Sequence, residues 1–284
     1  VLRPNAVRVS VGRYEANPVD LHFAKIWGND QATVEGEATA ATRSLHVVLV
    51  MDVTGSFWRE IHHARDAAGA FLNILEDTHG EDDMIGMSIF TYRFGWEWTP
   101  MLFLKDTAAV STARAQWATL DVASKDVDGD NWATGGKFPQ MPREYSDEPG
   151  TDHHVGMVMG RMMIDEQGDP FAYRAMIVLT DGDPNGLNAS SKRDAAGYTE
   201  TRWREYAGPV PHSQAEIEAA SVAQAVAAYT SEEIHVWTVS FRAKRDFLTD
   251  MPQGDGKFYY TENAAELTPI FEEIANSMPL LIVQ

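Results

Sequence analysis

From Leu45 onward the apolar positions alternate between two rhythms. Residues 45–51 are almost wholly apolar and rich in β-branched side chains, as a central strand covered on both faces requires. Phe57, Ile61, Ala64, Ala68, Phe71 and Leu75 follow at spacings of three and four, which predicts a helix with one apolar stripe. Residues 84–92 predict a second strand, and residues 100–105 a third that pairs with it as a hairpin. Helices are expected over 107–120 and 151–166, with a buried strand over 175–179. Ala215, Ala219, Val222, Val226 and Tyr229 mark the stripe of the next helix. Strands over 234–241 and 258–261 come next, then a last helix built on Leu267, Ile270, Phe271, Ile274 and Met278. Two Asp/Gly/Pro-rich stretches, 121–150 and 182–213, read as long loops. Strand–helix alternation predicts an α/β fold, a doubly wound and mostly parallel sheet flanked by helices. Ligands of such sheets bind beyond the carboxyl ends of the strands, so both long loops should wall the site and select its partner.

Residues 1–44 read differently. Val7, Val9 and Val11 alternate with polar residues, and residues 32–42 suggest a second strand, so a small β-rich extension is expected ahead of a main domain over 45–278. Residues 279–284 form a further strand-like end. The strand-like stretches 7–11 and 280–283 are candidates for pairing, which would put residues 1–44 in the main sheet or in a small subdomain.

Composition narrows the function classes. The chain has 284 residues, 44% of them hydrophobic, enough for a sizeable core in a single elaborated domain. Its net charge of −19 disfavours nucleic acid and anionic lipid as partners. The absence of cysteine excludes disulfides, thiol catalysis and zinc–thiolate centres. No apolar run reaches the roughly 20 residues that cross a bilayer. The sequence opens at Val1 rather than methionine, which is read as a fragment with membrane anchoring through a segment outside it.

Three short motifs fall where the sheet should end. Asp52-Val53-Thr54-Gly55-Ser56 places a carboxylate and two hydroxyls at alternate positions on the turn from strand to helix. Thr151 opens a helix, and Asp181 closes a buried strand. Hard divalent cations take oxygen ligands, and two carboxylates with three hydroxyls supply them. Neutral hydroxyls leave the ion's charge only partly compensated, so it stays electrophilic toward an incoming carboxylate.

Asp52, Thr54 and Ser56, then Thr151, then Asp181, resemble the metal-ion-dependent adhesion site of von Willebrand factor A domains. That family's pattern is Asp-x-Ser-x-Ser, a distant Thr and a distant Asp; Thr54 departs from it but keeps the hydroxyl. The resemblance covers roughly residues 45–278. It implies a divalent ion, Mg²⁺ first and Mn²⁺ or Ca²⁺ in its place, with Ser56, Thr54 and Thr151 near the ion and Asp52 and Asp181 acting partly through water. It also implies a protein partner whose acidic side chain completes the shell. Residues 7–11, Phe23-Ala24-Lys25-Ile26-Trp27-Gly28 and Ala38-Thr39-Ala40 resemble TadE/TadG-type pilus-assembly proteins, which implies an extracytoplasmic, anchored bacterial setting.

Other features read more plainly. Asp183 and Asn185 suit a turn or an outer shell. Asp126 to Asn131 begins like a calcium loop, but Asn131 and Lys137 stand where glycine and glutamate are needed, so a solvated acidic turn is expected. The adjacent pairs His62/His63 and His153/His154 point in different directions on a helix and read as solvated or packed. Trp96, Trp98 and Trp132 suit either an interface or hairpin packing. Asn188-Ala189-Ser190 fits a glycosylation sequon. The function expected is a non-enzymatic, metal-dependent interaction domain. Two alternatives stand beside it. One is a cytoplasmic scaffold coupled to an ATPase. The other is a metal-dependent hydrolase with Asp152, His153 or His154 as base.

Overall fold

A computed structural model describes residues 6–13, 19–20, 31–32, 34–78, 80–91, 94–120, 151–182, 194–196, 205–207, 211, 213–243, 245–278 and 282–283. In chain order the elements begin with strands β1 (Ala6–Arg13), β2 (Val19–Asp20), β3 (Gln31–Ala32), β4 (Val34–Thr42) and β5 (Leu45–Asp52). A 3₁₀ turn (Gly55–Arg59) leads into α1 (Ile61–Thr78), followed by β6 (Met84–Phe90), β7 (Phe94–Phe103) and α2 (Thr107–Trp117). Then come α3 (His153–Gln167), β8 (Tyr173–Thr180), β9 (Asp194–Ala196), α4 (Gln214–Glu232) and β10 (Ile234–Phe241). The chain closes with α5 (Asp246–Asp250), β11 (Phe258–Thr261), α6 (Leu267–Ser277) and β12 (Ile282–Val283).

Two compact units result, residues 1–43 with 279–284 and residues 44–278. In the first, β4 is central and pairs antiparallel with β1 and β12, while β2 and β3 pair with each other. The two strand-like ends thus do not pair together; each takes a different side of β4.

The second unit is built on a seven-stranded sheet in the order β11-β10-β8-β5-β6-β7-β9, parallel except for the antiparallel β6–β7 pair. The expected doubly wound α/β architecture is present. Every residue of β5 and β8 is buried, which is why the middle of each, 47–51 and 175–179, reads as an apolar run. One face of the sheet offers Val48, Val50, Met176, Val178, Ile234 and Val236 to a core shared with α3, α4 and α5. Across α1 and α6, Phe71 meets Phe271 edge-on at 6.0 Å. Asp83 ties the start of β5 to the α1–β6 turn, accepting from Leu45 N at 2.6 Å and Gly80 N at 2.5 Å.

Three expectations change. First, β7 starts at Phe94 instead of 100. Trp96 and Trp98 lie inside it, buried and edge-to-face at 5.5 Å, so among the tryptophans these two are packing residues. Second, residues 182–213 are not one structureless loop. Residues 194–196 form β9, which pairs in parallel with Phe94, Gly95 and Trp96 and satisfies the edge of β7. Third, α4 forms where expected but turns another face inward. Ile217, Ser221, Gln224, Ala225 and Ala228 are buried, whereas Ala215, Ala219, Val226 and Tyr229 are exposed. The buried guanidinium of α3's Arg161 decides this: it takes Gln224 and Glu232 of α4 as partners, and an unpaired buried charge would cost far more than an exposed valine. Residues 121–150, Trp132, Asp183, Asn185 and the sequon at Asn188 lie outside the described residues, as does Phe23-Ala24-Lys25-Ile26-Trp27-Gly28.

Candidate metal centre

The parallel register sets Met51 beside Leu179 and Thr180 beside Ser240, so β5, β8 and β10 end at one level. Asp52 is the last residue of β5 and is fully buried. Its Oδ1 accepts from Thr54 N at 2.9 Å and from Thr54 Oγ1 at 2.6 Å, folding the turn back over the strand end. Its Oδ2 accepts from Thr180 Oγ1 at 2.7 Å. The Thr54 hydroxyl lies 3.1 Å from Ser56 Oγ, and Ser56 Oγ donates to Asp181 Oδ1 at 2.8 Å. Thr151 Oγ1 donates to Thr54 Oγ1 at 3.4 Å. All five sequence-designated residues are therefore linked at the carboxyl edge of the sheet, across sequence gaps of 97 and 125 residues.

Local backbone chemistry seats each arm. Val53 N donates to Phe90 O at 3.1 Å, anchoring the first turn to the end of β6. Asp152 N donates to Thr91 O, and the Asp152 carboxylate caps α3 by accepting from Val155 N, which fixes Thr151 just ahead of the helix. Gly182 allows the approach of the third arm: a Cβ there would fall 2.7 Å from Thr151 Oγ1.

The electrostatics suit a cation. Burial, and then the charge of Asp52, push the Asp181 carboxyl up to about 8. Burial likewise raises Asp52 against the opposing pull of its Thr180 and Thr54 hydrogen bonds. Two desolvated carboxylates with hydroxyl partners hold their charge only at a cost, which a divalent ion would relieve. The donors are all hard oxygens, so the residues fit Mg²⁺, Mn²⁺ or Ca²⁺. Among the described residues no group of three or more His, Asp or Glu side chains gathers as a metal site; this centre, with two carboxylates, depends on hydroxyls for the rest.

Sequence reasoning missed Thr180 and Glu60 here, and read a third neighbour, His153, as packed or solvated. Thr180 holds Asp52, receives Gly182 N at 3.2 Å and lies 2.8 Å from His153 Nε2. His153 is buried between Phe90 and Phe247, and burial drives its pKa down to about 3. Glu60 stands near enough for its charge to bear on Asp181. A polar residue closing the apolar run of β8 was the available signal for Thr180. His154 points away, its Nε2 lying 2.8 Å from Ala207 O, so the adjacent histidines diverge as expected. His62 and His63 do not diverge in this way: on the outer side of α1 their rings lie 4.1 Å apart.

No family model matches the sequence, and no curated protein does. Solved structures do. A protein described as von Willebrand factor type A from Catenulispora acidiphila superposes with a TM-score of 0.51 at 14% identity, over 86% of this chain and 44% of that one. The von Willebrand factor domain of the type V pili tip protein Mfa5 from Porphyromonas gingivalis gives 0.54 at 13% identity, over 84% of this chain and 96% of its own. The fold is that of a von Willebrand factor A domain. The pilus adhesin SpaC from Lactobacillus rhamnosus GG also matches, at 0.54 and 14% identity, over 96% of this chain. This chain spans about a third of SpaC's length (34%). Among its described residues no helix is long and apolar enough to cross a membrane.

Proposed function

We propose that this A-type domain is a non-enzymatic adhesion module that binds a divalent cation and, through it, an acidic side chain of a protein partner. One observation carries the reading: five oxygen-bearing side chains from three distant segments converge at the carboxyl edge of the sheet. Ser56, Thr54 and Thr151 would hold the ion through hydroxyls and Asp181 through its carboxylate. Both oxygens of Asp52 already accept hydrogen bonds, so Asp52 positions Thr54 and supplies charge from behind. The bound ion supplies a Lewis-acidic point for a carboxylate ligand; the protein's part is to keep that point dry on one side and open on the other.

The likeness to SpaC and the Mfa5 domain supports a bacterial surface setting, and the TadE/TadG resemblance points toward pilus assembly. Placement of the residues nominated as a hydrolytic base supports the non-enzymatic reading. Asp152 caps α3, His153 is buried against Thr180, and His154 is turned to Ala207.

Calorimetric titration of chelator-stripped protein with Mg²⁺, Mn²⁺ and Ca²⁺, beside Asp181→Ala, tests the site. One ion should bind per chain, and Asp181→Ala should abolish binding. Unchanged affinity in the variant would remove Asp181 from the centre and the reading with it.

A further inference from the structure

Arg242 stands where β10 leaves the sheet, on the same edge as the metal centre. Ser240 lies beside Thr180, so Arg242 follows at the level where Asp181 and Gly182 turn away from β8. Phe57, next to Ser56, packs on Phe241 with ring centroids 5.8 Å apart. Glu60, which ends the same 3₁₀ turn, binds the Arg242 guanidinium at 2.8 Å. The turn that carries Thr54 and Ser56 is thus tied to the end of β10 at two successive residues, Phe241 and Arg242.

The backbone of Arg242 is left-handed (φ 62), a conformation that glycine adopts freely and arginine does not. Its amide donates to Thr261 O at 2.9 Å, which fixes that turn. Its guanidinium lies over the Phe241 ring at 4.5 Å, and the side chain is 57% exposed. An arginine carries five N–H donors in a rigid plane. Glu60 engages one end of that plane, and the ring beneath fixes its tilt, so the outer donors are presented in a set direction. In a chain with 42 acidic and 23 basic residues, a pinned cation beside an acidic centre marks the place where a negative ligand is favoured.

We propose that Arg242 is a second anchor for the partner: the ligand is an acidic polypeptide segment with two carboxylates, one completing the metal's shell and the other held by the Arg242 guanidinium. This rests on the metal-dependent reading above and adds to it a specificity that the ion alone lacks, since one ion cannot tell a lone carboxylate from a properly spaced pair.

The test uses Mn²⁺-loaded protein titrated with two blocked peptides, acetyl-Glu-Gly-Gly-amide and acetyl-Glu-Gly-Glu-amide, followed by calorimetry and by water-proton relaxation of the bound Mn²⁺. The two-carboxylate peptide should bind roughly three- to tenfold more tightly, as expected of a partly exposed arginine–carboxylate contact. Arg242→Gln should erase that advantage while leaving the one-carboxylate peptide and Mn²⁺ binding in place. Arg242→Gly should do the same in a protein at least as stable, because it also relieves the left-handed backbone, and so separates lost contact from lost fold. An advantage that persists in both variants, or is missing from the unaltered protein that still binds Mn²⁺, overturns the second anchor alone. Failure to bind Mn²⁺ at all overturns the metal reading beneath it.

Discussion

Asp52 is a fully buried carboxylate, and three hydrogen bonds from Thr54 and Thr180 are what make it tolerable there. Thr180→Val keeps the shape but removes the donor to Asp52 Oδ2 and the acceptor for Gly182 N. The expected cost is about 1–3 kcal/mol, the penalty for leaving a buried polar group unmet, read from urea unfolding. Metal affinity should fall by roughly 10- to 100-fold, as when a ligand's supporting partner is lost. A Thr180→Val protein as stable and as tight for Mg²⁺ as the parent would show that Thr180 supports nothing. That the five candidates would meet was legible because each closes a strand or opens a helix at the same edge of the sheet. Thr180 was not, since threonine is an ordinary strand residue and only the fold reveals what its hydroxyl reaches. Nothing in the sequence marks Arg242 as left-handed.

At the level of elements, α3 is the piece on which the site's second arm depends. Residues 153–164 are buried on every side, and two glycines four apart let the helix lie close on the sheet. A Cβ at Gly156 would come within 2.4 Å of the Phe90 ring, and one at Gly160 within 2.7 Å of Met176 Sδ. The two should differ in consequence. Gly160 meets Met176, which can give way, and Val50 Cγ2 at 2.8 Å, which cannot, whereas Gly156 meets Phe90, which ends β6 beside the Val53 and Thr91 anchors, so Gly156→Ala should push Thr151 away from Thr54. A loss of about 1–3 kcal/mol is expected for this overpacking, together with weaker Mg²⁺ binding. Chemical denaturation and calorimetry on the same sample check both; a stability loss with unaltered affinity would show that α3 shifts without carrying Thr151. The strands and helices themselves were readable from periodicity. The inward face of α4 was not, because its alanines and valines permit more than one stripe and the choice falls to Arg161, a residue 63 positions away from Gln224. The early start of β7 was hidden by Gly95 and by tryptophans that suit an interface equally well.

For the molecule as a whole, the acidic pair couples folding to pH. Asp181 is raised to about 8 and Asp52 is raised as well, so the folded protein holds protons that the unfolded chain releases above about 4. Their contribution to stability is present at acidic pH and is lost as pH climbs toward 8. His46, kept neutral mainly by burial, works the other way below the ordinary histidine value of 6.5. Thermal unfolding at pH 5, 6.5 and 8 with chelator present, compared with Asp181→Asn, isolates the pair: the parent should lose more melting temperature toward pH 8 than the variant. Mg²⁺ should restore the parent most at pH 8, where it displaces the fewest protons. Equal losses in both proteins would show that Asp181 does not titrate in that window. A different consequence follows from β4, which holds β1 on one side and β12 on the other. Thr42 pairs with Ile282 and Ala41 with Val283, so the pairing bypasses everything between. Tension applied from upstream of β1 and downstream of β12 therefore reaches this pairing before the larger unit. Because the strands run antiparallel and are pulled from the same end, the load peels their hydrogen bonds apart in turn instead of shearing them together. The small sheet would yield first, as a short slack in the line, and residues 44–278 would feel the pull only afterwards.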